Sequence, residues 1–79
     1  MSEKYNGYTN YATWNVVLWI ENTPSLYDAV HKYQRLRNYG QLEDFVNGLA
    51  KKNGHFGDLE QQELKEVNWK EAYDMIYAD

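Results

Sequence analysis

The sequence predicts an all-α domain, a single compact orthogonal bundle of about five short helices. Three observations lead there. Apolar residues recur at helical spacing in separate blocks, helix caps punctuate the gaps between the blocks, and no segment alternates polar and apolar residues as a half-buried strand would. With 79 residues and 43% apolar content, the chain has the size of one domain, of which only about 60% of the unfolded surface can be buried. It has no cysteine for a disulfide staple, so three Trp, eight Tyr and two Phe must supply much of the burial energy.

Residues 1–8 are polar apart from Tyr5 and Tyr8, contain Gly7 and show no period. They are expected to form a flexible N-terminus ahead of a single helical domain over 9–79. Thr9 or Asn10 can cap a first helix over about 10–22, which Asn22-Thr23-Pro24 ends, because a residue before proline is pushed out of the α region. Its apolar residues at 14 and 16–20 leave no single narrow stripe. The helix is therefore expected to be covered around most of its circumference, with Trp14, Trp19 and Trp69 meeting at the centre of the fold. Thr23 then caps a second helix with Pro24 at its first position, and Leu26, Val30, Tyr33 and Leu36 form its stripe before Asn38-Tyr39-Gly40 closes it.

The third helix has the cleanest pattern, with Leu42, Phe45, Val46 and Leu49 on one face. Lys51 and Lys52 lie near its negative end, and Asn53-Gly54 is its stop. Asp58 with Gln61 reads as a capping box for a short fourth helix carrying Leu59 and Leu64, expected to be a peripheral turn. Asn68 with Glu71 reads as another, opening a fifth helix whose buried face is Trp69, Ala72, Tyr73 and Ile76. Val67 is placed to staple onto Ala72.

Two of these segments carry a resemblance. TNYATWNVVLWIEN, followed by SLYDAV, resembles the opening of a family of small uncharacterised phage-associated proteins and domains, cyanophage proteins among them, and VNWKEAYDMI is similar to that family's closing helix. The resemblance implies a compact helical fold and a phage or accessory-gene setting. It brings no catalytic or binding residues with it.

The charge excludes more than it assigns. The net charge of −4 is uneven: residues 1–57 hold six Lys/Arg against five Asp/Glu, and residues 58–79 hold two lysines against seven acids. An acidic chain is poorly suited to gripping a polyanion, so nucleic acid is the less favoured partner. The N-terminus lacks an apolar signal core, and the longest apolar run, Val16 to Ile20, falls far short of the roughly 20 residues that span a bilayer. A soluble, cytoplasmic protein with no membrane partner is expected, in the host cytoplasm if phage-encoded.

No catalytic constellation can be argued. His31 and His55 fall on a helix surface and in a Gly-flanked loop, and Ser2 and Ser25 lie at the terminus and in a first helical turn, so no nucleophile has a paired base. His55 and Asp58 offer two ligands and nothing completes a metal shell. Neither cofactor, metal nor enzymatic activity is expected.

What remains is surface. Lys32, Arg35 and Arg37, with Lys51 and Lys52 farther on, mix with Tyr33 and Tyr39 in the way that can grip phosphates and stack bases. A helix-turn-helix reading fails because the would-be recognition helix opens Gln41-Leu42-Glu43-Asp44, with carboxylates where phosphates would lie. Eight tyrosines exceed what so small a core consumes. Tyr5, Tyr8, Tyr39 and Tyr77 have no place in the helical stripes, and exposed Tyr beside Arg is enriched at interfaces. The function expected is a small non-enzymatic protein-interaction module, a phage accessory protein acting on a host factor, with Tyr39, Arg35, Arg37 and Lys32 at its binding surface or, failing that, the acidic fourth and fifth helices. The alternative is a nucleic-acid-associated accessory protein using the basic face of the second and third helices.

Overall fold

The computed structural model describes residues 6–78. Helix α1 (Tyr11–Asn22) begins at Asn10, whose Oδ1 accepts hydrogen bonds from the Thr13 N–H at 2.9 Å and the Thr13 hydroxyl at 2.7 Å. It stops where Thr23 turns extended ahead of Pro24. Helix α2 (Pro24–Asp28) passes directly into a π-helical turn (Ala29–Tyr33), closed by the Gln34 N–H on the Ala29 carbonyl at 2.9 Å. Helix α3 (Tyr39–Asn53) is capped by the Asn38 side chain and ends on Gly54 at φ 87°, a left-handed position that glycine adopts without steric cost. Two short strands, β1 (His55–Phe56) and β2 (Leu59–Glu60), a 3-10 helix (Gln61–Glu66) and helix α4 (Trp69–Ile76) complete the chain.

The fold is mostly α. Helix α4 packs on both α1 and α3, and α1 also packs on α2 and the 3-10 helix. Ile20, Leu42, Leu59, Leu64, Val16, Val30 and Val46 are fully buried between these layers. Thr13 and Asn15 are fully buried with them, and polar groups so placed must be hydrogen-bonded.

Thr13 meets that requirement by locking the two ends of the domain together. Its hydroxyl accepts from the Asn68 backbone N–H at 2.9 Å, while the Asn68 side chain caps α4 by accepting from the Glu71 N–H. The Glu71 carboxylate reaches back to the Thr9 N–H at 2.9 Å, and the Asn10 amide donates to the Glu66 carbonyl at 2.8 Å. The caps of α1 and α4 are thus one network. All of its members but Glu66 sit in the two segments that carry the sequence resemblance.

Several expectations need correction. The anticipated absence of strand fails at residues 55–60, where β1 and β2 form an antiparallel hairpin pairing His55 with Glu60 and Phe56 with Leu59. Gly57 at φ 60° supplies the first central residue of its two-residue turn, the role glycine fills in type II′ turns. Two residues per strand are too few for alternation to show in the sequence. The capping box here is Glu60 with Glu63 rather than Asp58 with Gln61, and it opens a 3-10 helix. Asn38 opens α3 instead of closing the preceding helix.

Only one of the three tryptophans is buried. Trp69 is 8% exposed, Trp14 is half-buried and Trp19 is 39% exposed, so they do not form a common centre. On α1 the inner positions go to Thr13, Val16, Val17 and Ile20, which turns Trp19 outward. Of the expected flexible N-terminus, residues 1–5 lie outside the described residues; Tyr8 is half-buried against the core.

Candidate functional site

The segment from Lys32 to Tyr39 owes its shape to the π-helical turn. A hydrogen bond spanning five residues wraps one more residue into the turn than an α-helix does, so later side chains fall out of α-helical register. Tyr33, expected in the buried stripe beside Val30, is instead 80% exposed. The chain then leaves the helix, and Leu36 re-enters the core from a loop.

That loop is fixed from behind by two tyrosines of the C-terminal helix region. The Tyr77 hydroxyl accepts from the Leu36 N–H at 2.9 Å and donates to the Val30 carbonyl at 2.8 Å, and the Tyr73 hydroxyl donates to the Leu36 carbonyl at 3.0 Å. From the other side, the Gln41 side chain accepts from the Arg37 N–H at 2.8 Å while Asn38 caps Gln41. Tyr77, expected at an exposed binding surface, is therefore a structural tie.

On this backbone Lys32, Arg35 and Arg37 are exposed, and Tyr39 is 50% exposed at the start of α3. The Arg35 guanidinium lies over the Tyr77 ring at 4.6 Å from its centroid, close enough for a cation–π contact. Among the described residues, none of the three cations has a carboxylate within ion-pair distance. The four residues singled out from the sequence thus share one short segment. Lys51 and Lys52 do not join it, because they sit at the far end of α3, about 18 Å along the helix from Tyr39.

An aromatic ladder borders the segment. Tyr27 and His31 rings lie 4.3 Å apart, His31 and Tyr77 5.4 Å, and Tyr77 and Tyr73 4.8 Å. His31 Nε2 is 3.1 Å from Glu21 Oε2, so this histidine links α1 to the ladder instead of standing in solvent. Sequence reasoning missed Tyr27, 42% exposed, and placed Tyr33 both in the buried stripe and among the surface cations, of which only the second agrees with its exposure. The usable signal was the polarity of 31–37, where Tyr33 and Leu36 are the only large apolar side chains.

Burial pushes the Tyr77 phenol above its ordinary 10.0; the Leu36 backbone hydrogen bond opposes this, Tyr73 adds to it and Arg35 opposes it. The unfolded chain gives up this proton first. Stability from Tyr77 is therefore complete below about pH 10 and is lost as the pH rises through the higher folded value. Tyr77→Phe should show a shallower alkaline loss of folded protein by circular dichroism than the wild type. An identical slope in both proteins would discount Tyr77 as the titrating group.

Other chemistry has little to work with. His55 Nδ1 lies 3.1 Å from the Gly57 carbonyl, and the Asp58 carboxylate faces the Tyr11 hydroxyl and the Asn15 amide at 3.3 and 3.4 Å. Among the described residues no three His, Asp or Glu side chains are grouped so as to hold a metal ion. No helix among them is long and apolar enough to cross a membrane.

In comparison with known proteins, residues 1–79 match the model of DUF7249, a family of unknown function. No curated protein and no solved structure matches the chain.

Proposed function

We propose that this chain, which belongs to the DUF7249 family, is a small non-enzymatic protein-interaction module that docks an acidic surface of a partner protein through Lys32, Tyr33, Arg35, Arg37 and Tyr39. The observation that carries the reading is the combination of three cations with no carboxylate partner among the described residues and two exposed tyrosines, on a backbone tied down from behind. A pre-ordered surface spends little entropy on binding, and wet tyrosines flanked by arginines are the residue types that become interface anchors. In the phage setting that the sequence motifs imply, the partner is a host factor and the compartment is the host cytoplasm.

The same cations and rings favour a second reading, a nucleic-acid-associated accessory protein, in which tyrosines stack bases and arginines meet phosphates. The net charge of −4 weighs against it.

Affinity capture from the host with and without nuclease, followed by titration of the captured partner, separates the two. For a protein partner, Tyr33→Ala or Tyr39→Ala should weaken binding by about thirtyfold and Lys32→Ala by less than about fivefold, since a desolvated aromatic anchor outweighs a rim charge. Nuclease-sensitive binding that vanishes in the Lys32, Arg35 and Arg37 triple alanine variant and persists in Tyr39→Ala would favour nucleic acid instead. No binding to DNA is expected at about 0.15 M salt, where screening acts within about 8 Å.

A further inference from the structure

Asparagine precedes glycine three times in this chain, at Asn6-Gly7, Asn47-Gly48 and Asn53-Gly54. The pairing has a chemistry of its own. Glycine has no Cβ, so its backbone nitrogen can approach the preceding side chain closely. Once that nitrogen has given its proton to a solvent base, it can attack the asparagine Cγ. The bond from nitrogen to Cγ forms, the Cγ–Nδ2 bond breaks, and the amide leaves as ammonia with a proton from solvent. Water then opens the five-membered imide at either carbonyl, giving aspartate or, where the main chain now runs through Cγ, isoaspartate. Water is consumed, ammonia is released and nothing is oxidised.

The fold gives the three pairs different freedom. Asn47-Gly48 lies inside α3, where the Gly48 N–H belongs to the helical hydrogen-bond ladder and the Asn47 amide donates to the Glu43 carbonyl at 2.9 Å. Nucleophile and leaving group are both held. Freeing Gly48 would withdraw Val46 and Ala50, which are fully buried. Asn6-Gly7 belongs to no helix, and both its residues are exposed and left-handed, at φ 49° and 89°.

Asn53-Gly54 stands between these extremes, where α3 stops. Both residues are exposed, and among the described residues no hydrogen bond holds the Asn53 side chain. Apart from its chain neighbours, nothing lies within 4 Å of a Cβ built on Gly54, so the imide and the attacking water have room. One restraint remains, the bond from the Gly54 N–H to the Ala50 carbonyl at 2.7 Å. It is the last bond of the helix, and helix ends open at far lower cost than helix bodies. Lys51, Lys52 and Asn53 are all exposed, so opening this turn uncovers no core side chain of its own.

We propose that Asn53 is a site of spontaneous deamidation in the folded protein, gated by that one bond. Opening of the last turn of α3 frees the Gly54 nitrogen while the core stays closed. The product adds a carboxylate at the negative end of α3, with Lys51 and Lys52 in the same turn to offset it. Isoaspartate also adds one carbon to the main chain between α3 and β1. That joint sets the reach of the hairpin to α1, where the Asp58 N–H donates to Asn15 at 3.2 Å.

The test follows conversion in the full chain at mildly alkaline pH and body temperature, in native buffer and in concentrated guanidinium chloride. Trypsin places the pairs on separate peptides, 5–32, 38–51 and 53–65, on which mass spectrometry reads each conversion as a gain of one mass unit. In denaturant Asn53 and Asn47 should convert within about threefold of each other, because only chain neighbours act there. In native buffer Asn53 should convert at least about tenfold faster than Asn47, the gap between opening a helix end and opening its body. Its product should resolve into isoaspartate and aspartate peptides, and Asn53→Gln, which could close only a six-membered ring, should leave 53–65 unchanged in mass. Equal native rates at Asn53 and Asn47 would overturn the proposal, since global unfolding exposes both alike. So would conversion confined to Asn6, or a product that is aspartate alone, which direct hydrolysis without the imide would give.

Discussion

Gly57→Ala should destabilise the folded protein by about 2 to 5 kcal/mol, from about 1 to 2 for a side chain forced into left-handed backbone and about 1 to 3 for overpacking. The backbone sits at φ 60°, and the new Cβ would lie 2.3 Å from Cδ1, 2.5 Å from Nε1 and 2.7 Å from Cγ of Trp19. Cγ is the root of the indole, so a small tilt of the ring tip gives no relief. Trp19 must change rotamer, which strips the cover from the hairpin tip. Gly54→Ala is the internal control, because Gly54 has φ 87° and open space around a built Cβ. Urea unfolding of both variants isolates the Trp19 contact as the difference in midpoint at unchanged slope. Equal losses in the two proteins would show that the indole yields freely.

Thr13→Val should cost about 0.5 to 3 kcal/mol, from the net worth of one hydrogen bond up to the penalty for a donor left without its acceptor. The two side chains have nearly the same shape, so packing changes little. What disappears is the acceptor for the Asn68 N–H and one of the two donors to Asn10 Oδ1. Thr13 itself is fully buried, and its bond to Asn68 is part-buried. Thr9→Val removes a longer, exposed contact to Asn68 at 3.4 Å and should stay within about half a kcal/mol. A thermal melt in which both variants match the wild type would remove the interlocked caps from the list of stabilising features.

These two positions also mark where sequence reading succeeds and where it stops. The limits of α1, the Asn68 cap, the stripe of α3 and the Gly54 stop were legible because each is decided within a few residues by capping and period. The hairpin was not, because Asp58 and Gln61 have the spacing of a cap while Asp58 is held by Asn15, 43 positions away. Nor was the wetness of Trp19, which follows from Thr13 and Asn15 taking inner places through partners on distant segments. At the proposed interaction surface, Lys32, Arg35, Arg37 and Tyr39 were named from residue type alone, and the structure adds only their exposure. Tyr33 and Tyr77 were exchanged, since a π-helical turn and a hydroxyl shared between Leu36 and Val30 leave no trace in a hydropathy pattern.

The joined caps of α1 and α4 also bear on how the chain comes together and comes apart. The bond from the Asn68 N–H to Thr13 closes a separation of 55 residues, and that from the Thr9 N–H to Glu71 closes 62. Closing loops of that length is slow and entropically costly, so neither terminal helix gains its full cap until nearly the whole chain is in place. Fraying of one end withdraws acceptors from the other. The first-turn amides of Thr13 and Glu71 should therefore exchange with solvent deuterium at a common rate, set by a single opening event that spans both ends of the sequence.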